Sequence, residues 1–190
     1  MLHNQNGMFN FSIDRHSELR LFEPVHAEEL NALVTDNFEH LYQLSAWLTD
    51  RERPVDRTRE WINRNLEHFT SGSGYDVGIW HKGAIAGQIG YNHLESAIHK
   101  AEIGYWLGAS FEGKGLITRS CRIMIDHAVR NLSINRIEIK CGTENLKSRK
   151  IPERLGFTEE GIARQAEWLH GRYIDLAVYS ILSSEWEDGR

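Results

Sequence analysis

Three residues at the junction of a predicted strand and a predicted helix are suited to binding an anion. Gly113, Lys114 and Gly115 follow KAEIGYWL, which is typical of a strand, and precede LITRSCRIMIDHAVRNL, whose apolar residues recur with helical spacing. The first turn of a helix presents unpaired amides and the positive end of the helix dipole, and glycine lets a ligand approach closely. This arrangement favours a phosphate or pyrophosphate, to which Lys114 adds a positive charge. The alternative is that the glycines only form a tight turn.

Two common phosphate-binding motifs do not match this turn. A Walker loop requires GxxxxGK followed by Ser or Thr, and that spacing is missing here. The dinucleotide fingerprint requires a third glycine at position 118, where this chain has a threonine. The turn therefore belongs to neither class.

The order of predicted elements indicates an α+β fold. Residues 25–48 predict one or two helices, and further helices are predicted at about 57–70, 115–132 and 146–155. Period-two and β-branched patterns predict strands at 17–22, 75–80, 84–94, 101–107 and 135–141. A closing antiparallel pair that turns at His170-Gly171 is predicted to follow them. The strand, helix and strand of 101–141 predict a parallel, right-handed crossover within a mainly antiparallel sheet.

Composition and charge limit the function classes. The 190 residues, 41% of them hydrophobic, suit a single domain, and a formal net charge of −5 argues against direct nucleic-acid binding. The only two cysteines, Cys121 and Cys141, lie in apolar patterns and are expected to be buried. With no leader peptide, no membrane-spanning run and no metal-ligand spacing, we expect a cytoplasmic protein without a metal. Residues 1–16 are expected to be a poorly ordered extension, with Met8 a possible alternative start.

The order of short motifs resembles the GCN5-related N-acetyltransferase (GNAT) superfamily. It is most similar to the RimL-like acyltransferases, which modify the N-termini of ribosomal proteins. The resemblance covers roughly residues 17–187, and its motifs are AEIGYWL, EGKGLIT, NLKS, LGF and the terminal YSILxxEW. Glu112 stands where the superfamily commonly has Gln or Arg, and Ile117 where Gly or Ala is common.

The resemblance implies a GNAT fold for residues 17–187, whose central mixed sheet splays between its fourth and fifth strands and is flanked by helices. It implies acetyl-coenzyme A as the acyl donor, held by the backbone of Trp106 and Leu107 and by the Asn145 side chain. The pyrophosphate would lie on the turn formed by Gly113, Lys114, Gly115, Leu116, Ile117 and Thr118.

The chemistry implied by the resemblance is direct acetyl transfer to a primary amine. The protein N-terminus is the favoured acceptor; a polyamine, an aminoglycoside and a non-catalytic coenzyme A-binding module are the alternatives. A homodimer is expected from the family and from the aromatic C-terminal hairpin. Trp47, Trp61, Trp106 and Trp168 are candidates for the acceptor pocket, with a core or interface role as the alternative.

Two residues are the main catalytic candidates. Ser148, which matches the serine of the family's NxxS box, is predicted to contact the sulfur or act as an acid; otherwise it is an ordinary polar residue of a first helical turn. Glu102, a carboxylate in an apolar strand, is the candidate base; otherwise it is paired with Lys100 or Lys140 at the surface. Asp76 and His93 are further candidates for the base. The effect of Pro152 on the helix that carries Ser148 is left open.

Overall fold

A computed structural model describes residues 9–188 of the chain. Within this range eight strands form one mixed sheet, in the spatial order β1-β2-β3-β4-β5-β6-β8-β7. The strands are β1 (Asn10–Asp14), β2 (Ser17–Leu21), β3 (Asp76–His81), β4 (Ala84–Glu95), β5 (Lys100–Leu107), β6 (Arg136–Gly142), β7 (Thr158–Leu169) and β8 (Arg172–Leu182). The helices are α1 (Ala27–Asp36), α2 (Phe38–Tyr42), α3 (Val55–Ser71), α4 (Leu116–Asn131), α5 (Leu146–Arg154) and α6 (Ser183–Asp188).

The first strand lies where the sequence analysis placed a poorly ordered extension. Residues 10–14 instead pair antiparallel with β2. Phe9 is buried in the core, and Phe11 and Ile13 pack against it. These apolar side chains, which alternate with polar ones, tie the segment to the sheet. The rest of the expected extension, residues 1–8, lies outside the described part of the chain.

Helices cover the two faces of the sheet and bury two apolar clusters. On one face, α4 packs its apolar side, which includes Cys121, Met124 and Ile125, against the first cluster. On the other face, α1 and α3 cover the second cluster, in which Phe22 and Trp80 are buried. Because neighbouring residues of a strand point to opposite faces, Tyr105 packs against the first cluster and Trp106 against the second.

The sheet opens between β5 and β6. These are the fourth and fifth of the strands that the sequence predicted, because β1 was not among the predicted strands. These parallel strands pair only from Lys100 to Glu102 and from Arg136 to Glu138. At the same level the pairing of β4 with β5 shifts register around Asn92. Such a bulge bends and twists β4 next to the point where the pairing of β5 with β6 ends at Glu102. The predicted splay is confirmed in this pairing.

The base of the opening is held by a buried carboxylate. Glu138 lies 3.1 Å from Lys100 Nζ and 3.4 Å from Lys140 Nζ. Burial alone would raise the pKa of Glu138, but hydrogen bonds from Lys100 and Arg136 outweigh it and lower that pKa. These charges therefore hold β5 and β6 together below the splay.

Among residues 9–188, no helix is long and apolar enough to cross a membrane. The same range contains no group of three or more side chains arranged to hold a metal ion.

Candidate active site

A cavity of ≈ 1340 Å³ passes through the opening between β5 and β6. From one face of the sheet it is lined by α4 and α5, and from the other by α1, α3 and the segment that joins α2 to α3. Two ligands can therefore meet in the opening from opposite faces of the sheet. This is the arrangement that a transfer between two substrates requires.

The glycine turn forms one wall of this cavity. Gly113 and Gly115 have φ angles of 74° and 70°, which non-glycine residues rarely adopt, and Gly115 precedes the first residue of α4. A Cβ on Gly115 would lie 2.8 Å from Arg119 Nη1. The first amides of α4 have no partner within the helix and border the cavity at Leu116, Ile117 and Thr118. A turn of this geometry is suited to an anion, and the pyrophosphate that the sequence predicted here stays a prediction.

Lys114 does not line the cavity. Its ammonium donates a hydrogen bond to the Ser110 carbonyl and lies 5.7 Å from the centre of the Phe111 ring. The role predicted for Lys114 at the pyrophosphate therefore needs a rearrangement of this side chain.

Trp106, Leu107 and Asn145 line the cavity on the two sides of the splay. The last residues of β5 pair with β4 on one side and leave the opposite edge facing the opening. An extended ligand can add to such an edge as a strand does. The Asn145 side chain accepts a hydrogen bond from the Ser148 amide (3.1 Å) and so caps α5.

Ser148 lies in the first turn of α5, against Tyr105 from β5. Its hydroxyl donates to Tyr105 Oη (3.3 Å), and the Tyr105 hydroxyl donates to the Ser148 carbonyl (3.2 Å). That carbonyl is the one that Pro152, which has no amide hydrogen, leaves without its helical partner. Tyr105 thus replaces the lost hydrogen bond and orients the Ser148 hydroxyl at the cavity wall. The question that Pro152 raised in the sequence is answered by this contact.

Both cysteines are buried, as predicted. Burial raises the pKa of Cys121 far above its usual range, and burial also raises the pKa of Cys141, which lines the cavity beside Ser148. Neither thiol is therefore disposed to ionise.

Glu102 lies at the closed end of the splay rather than in the cavity lining. Its carboxylate accepts a hydrogen bond from Lys140 Nζ at 2.7 Å. This is one of the two pairings that the sequence left open beside a role as base. Lys140 itself lines the cavity, together with Glu167 from β7. Burial, followed by the Glu102 charge, raises the pKa of Glu167.

Asp76 and His93, the other candidates for the base, lie in different surroundings. Asp76, at the start of β3, lines the cavity on the α3 side, and burial raises its pKa to about 6. His93 is exposed beside the β4 bulge and does not line the cavity. The structure therefore brings Asp76, but not His93, to the opening.

Glu112, just before the glycine turn, contacts side chains from both α5 and α2. Its carboxylate lies 2.6 Å from Lys147 Nζ on α5 and 3.2 Å from His40 Nε2 on α2. The negative charge that replaces the family's Gln or Arg thus has a positive partner, Lys147, next to the glycine turn.

Aromatic and cationic side chains line the half of the cavity on the α1–α3 face. Trp47 and Trp106 have ring centroids 6.0 Å apart, and the Arg53 guanidinium lies 5.6 Å from the Trp47 ring centroid. Trp61 lines the cavity too, whereas Trp168 is exposed on the β7–β8 hairpin and packs against Tyr173. Cationic residues in the lining outnumber acidic ones: Arg53, Arg57, Arg64, Lys140, Lys147, Lys150 and Arg154 against Asp76, Glu112 and Glu167.

The fold and this cavity agree with comparisons to known proteins. Residues 17–158 match the family model described as an acetyltransferase (GNAT) domain. The chain therefore belongs to the GNAT family of acetyltransferases, as the motifs predicted.

Individual relatives share nearly the whole length of the chain. The putative ribosomal N-acetyltransferase YdaF of Bacillus subtilis (strain 168) is 39% identical over 183 residues, which cover 95% of this chain and 98% of YdaF. RimL, a ribosomal L7/L12 alpha-N-protein acetyltransferase solved in complex with coenzyme A, superimposes with a TM-score of 0.85 at 30% identity, over 92% of this chain and 98% of RimL. The microcin C7 self immunity acetyltransferase MccE, solved with acetyl-CoA and AMP, has a TM-score of 0.85 at 30% identity, over 90% of this chain and 94% of that one.

Sequence reasoning missed two residues of the site. Tyr105 was considered only for its backbone, and its hydroxyl contact with α5 joins residues 43 positions apart. Glu167 lies in a strand whose polar residues look solvent-facing in the sequence. In the structure the pairing of β7 with β8 shifts register between Ala163 and Glu167, and Glu167 lines the cavity.

Proposed function

We propose that the protein transfers the acetyl group of acetyl-coenzyme A to the α-amine at the N-terminus of a ribosomal or other protein. The observation that carries the proposal is the cavity through the sheet, which has an anion-binding helix start on one face and a separate aromatic, cationic half on the other. YdaF and RimL, by their names, act on ribosomal proteins. We further propose that the catalytic domain spans residues 17–187.

Acetyl-coenzyme A supplies an activated thioester when bound, and this chain's residues would hold and orient it. The amides from Gly113 to Thr118 would bind the pyrophosphate. The free edge of Trp106 and Leu107 and the Asn145 side chain would bind the pantetheine arm. The Ser148 hydroxyl donates to Tyr105 Oη in this structure, so to hydrogen-bond the leaving sulfur it would first turn its proton from Tyr105 towards the cavity.

The acceptor half of the cavity favours an N-terminus over a polyamine. Arg53, Arg57 and Arg64 line it, and their positive charges would repel a polycation. An α-amine has a pKa near 7.7–8.0, so a sizeable fraction is neutral and nucleophilic at neutral pH. Glu102 stays a predicted base whose carboxylate would first have to separate from Lys140.

Two further parts of the proposal concern assembly and location. The β7–β8 hairpin exposes Ile162, Trp168 and Tyr173, and apolar side chains exposed together are common at interfaces. We include a homodimer through this hairpin in the proposal, and a cytoplasmic location as the sequence predicts. Sedimentation equilibrium of the wild type beside Trp168→Ser tests the dimer, which a monomeric wild type would contradict.

The test combines donor binding and acceptor choice. Calorimetry with acetyl-coenzyme A should give binding by the wild type and at least tenfold weaker binding by Gly115→Val, because a side chain strains the left-handed backbone and enters the cradle. Gly83→Val is the matched control: Gly83 has a φ of 83°, no atom within 4 Å of the position that a Cβ would take, and no part in the cavity lining.

Acceptors are then compared by mass spectrometry. Peptides with a free N-terminus should gain one acetyl group, while N-terminally blocked peptides and spermidine should not. Binding without transfer to any amine would instead support a non-catalytic coenzyme A-binding protein. No binding by a folded wild type would contradict the proposal altogether.

A further inference from the structure

Arg53, in the acceptor half of the cavity, differs from the other arginines of residues 50–64. Each of those others has a carboxylate partner: Arg51 with Glu39, Arg57 with Asp50, Arg59 with Glu28 and Asp56, and Arg64 with Glu60. Within the described part of the chain, the Arg53 guanidinium forms no ion pair. Its Nε is buried and has no hydrogen-bond partner there either. The chain thus leaves the charge of Arg53 without a matching anion.

The backbone of Arg53 is held by two buried polar side chains. Its carbonyl accepts a hydrogen bond from Asn31 Nδ2 on α1 at 3.1 Å. The Asn31 Oδ1 accepts in turn from the Thr58 hydroxyl on α3 at 2.8 Å, and both of these residues are buried. Pro54, which follows Arg53 and precedes the first residue of α3, adds a fixed φ angle. Arg53 is therefore pre-organised at the junction of α1 and α3.

The side chain of Arg53 lies close to the splay. Its guanidinium is 5.6 Å from the Trp47 ring centroid, which is 6.0 Å from the centroid of Trp106 on β5. All three residues line the cavity. The guanidinium is thus within about 12 Å of the Trp106 ring, a distance that about three extended residues of about 3.3–3.6 Å each can span. A peptide whose amine reaches the splay would bring one of its first three side chains to Arg53.

The surroundings of Arg53 favour an added negative charge. Burial lowers the pKa of Arg53, and the Arg57 charge acts in the same direction, whereas the Asp50 charge opposes them. The Asp50 carboxylate is itself shared with Arg57, at 3.7 Å. Because arginine stays protonated in proteins, the half-buried charge persists. A carboxylate delivered by a ligand would compensate this charge and give the buried Nε an acceptor.

We propose that Arg53 selects acceptors that carry a carboxylate close to the reactive amine: protein N-termini with aspartate or glutamate among their first three residues. The inference rests on the proposed function and adds the sequence class that this site prefers. A planar guanidinium can donate two parallel hydrogen bonds to one carboxylate, so it recognises position as well as charge. The Trp47 and Trp106 rings would contact the apolar atoms of the same peptide.

The neighbouring charges support the same choice. Arg57 and Arg64 are exposed and line the same half of the cavity as Arg53. Asp76 is the acidic residue that lines this half, whereas Glu112 and Glu167 line other parts. Like charges brought together disfavour a wrong partner, so a basic residue near the amine should be rejected.

The first test uses the wild type and short, C-terminally amidated peptides of serine and alanine. Each peptide carries a single aspartate or a single asparagine at its first, second or third position, and initial rates give kcat/KM. At one or more of these positions, the aspartate peptide should be preferred about tenfold or more, which is the scale of a hydrogen bond to a charged group. Lysine at the same position should give a lower kcat/KM than asparagine.

Variants then assign the preference to one side chain. Arg53→Met keeps an unbranched side chain against Trp47 but removes the charge, so its ratio of aspartate to asparagine rates should fall about tenfold or more. Arg53→Lys keeps the charge and should retain a higher ratio than Arg53→Met. Arg59→Gln is the matched control: it removes an α3 arginine outside the cavity lining and should keep the wild-type ratio. Comparing ratios cancels the intrinsic reactivity of each peptide.

The outcomes separate the inference from the proposed function. A wild type that acetylates the aspartate and asparagine peptides equally well at all three positions overturns the inference alone. A preference that persists in Arg53→Met, or that is lost equally in Arg59→Gln, also overturns it. The wild-type comparison stands by itself if Arg53→Met does not fold. A wild type that acetylates no peptide overturns the proposed function together with the inference.

Discussion

Replacing Asp76 by asparagine should stabilise the protein at neutral pH. The pKa of Asp76 rises from 3.8 to about 6 because burial disfavours the charged form. The folded state therefore binds this proton more tightly than the unfolded chain does. Between about pH 4 and pH 6 the folded state holds more protons, so the contribution of Asp76 to the free energy of unfolding falls as pH rises and then stays low.

The magnitude follows from the size of the shift. Each pKa unit corresponds to about 1.36 kcal/mol, so a change from 3.8 to about 6 costs the wild type about 3 kcal/mol above pH 7. Asparagine keeps the shape and has no charge to bury. Allowing for solvent in the cavity, we expect Asp76→Asn to raise the free energy of unfolding by about 2–3 kcal/mol at pH 7.5, or about 4–12 °C in melting temperature.

Urea unfolding followed by tryptophan fluorescence measures this effect. Other carboxylates titrate in both proteins, so the difference between wild type and variant isolates Asp76. The gain should shrink to about 0.5 kcal/mol near about pH 4 and disappear below about pH 3, where the wild-type carboxyl is protonated in both states. Glu67→Gln, which removes an exposed carboxylate of α3 outside the cavity lining, should show no such pH-dependent gain. A gain that is equal at pH 4 and pH 7.5, or a variant less stable than the wild type at pH 7.5, would refute the reasoning.

Two further predictions concern the donor side of the cavity. Ser148→Ala should lower kcat by about 10- to 100-fold while the dissociation constant for coenzyme A stays within about twofold, because the role proposed for the hydroxyl is a hydrogen bond to the departing sulfur; equal losses in both would make Ser148 a binding residue. Glu112→Gln should bind acetyl-coenzyme A about three- to tenfold more tightly at low salt, because it removes a negative charge near the proposed phosphate site and frees Lys147. Glu144→Gln, which removes a carboxylate outside the cavity lining, is its control, and weaker binding by Glu112→Gln would show that the Lys147 bridge holds the site together.

The parts of the site that the sequence predicted are those made by neighbouring residues. Gly113 and Gly115 begin α4, and Asn145 caps α5 three residues before Ser148. Each of these arrangements depends on backbone geometry within one turn, which the residue types alone define. The strand order around the crossover was likewise predictable, because a parallel pair needs a helix between its strands.

Only the tertiary structure decided which distant side chains act together. The sequence shows neither that Tyr105 replaces the helical partner lost at Pro152, nor that Glu167 returns to the opening, nor that Glu102 is neutralised by Lys140. The same holds for the surroundings of Asp76, which the sequence offered only as a further candidate for the base. Asn65 holds its backbone, Gly90 leaves the space for its carboxyl, and burial raises its pKa. Backbone signals act over a few residues, whereas burial and electrostatic environment arise from packing between elements far apart in the chain.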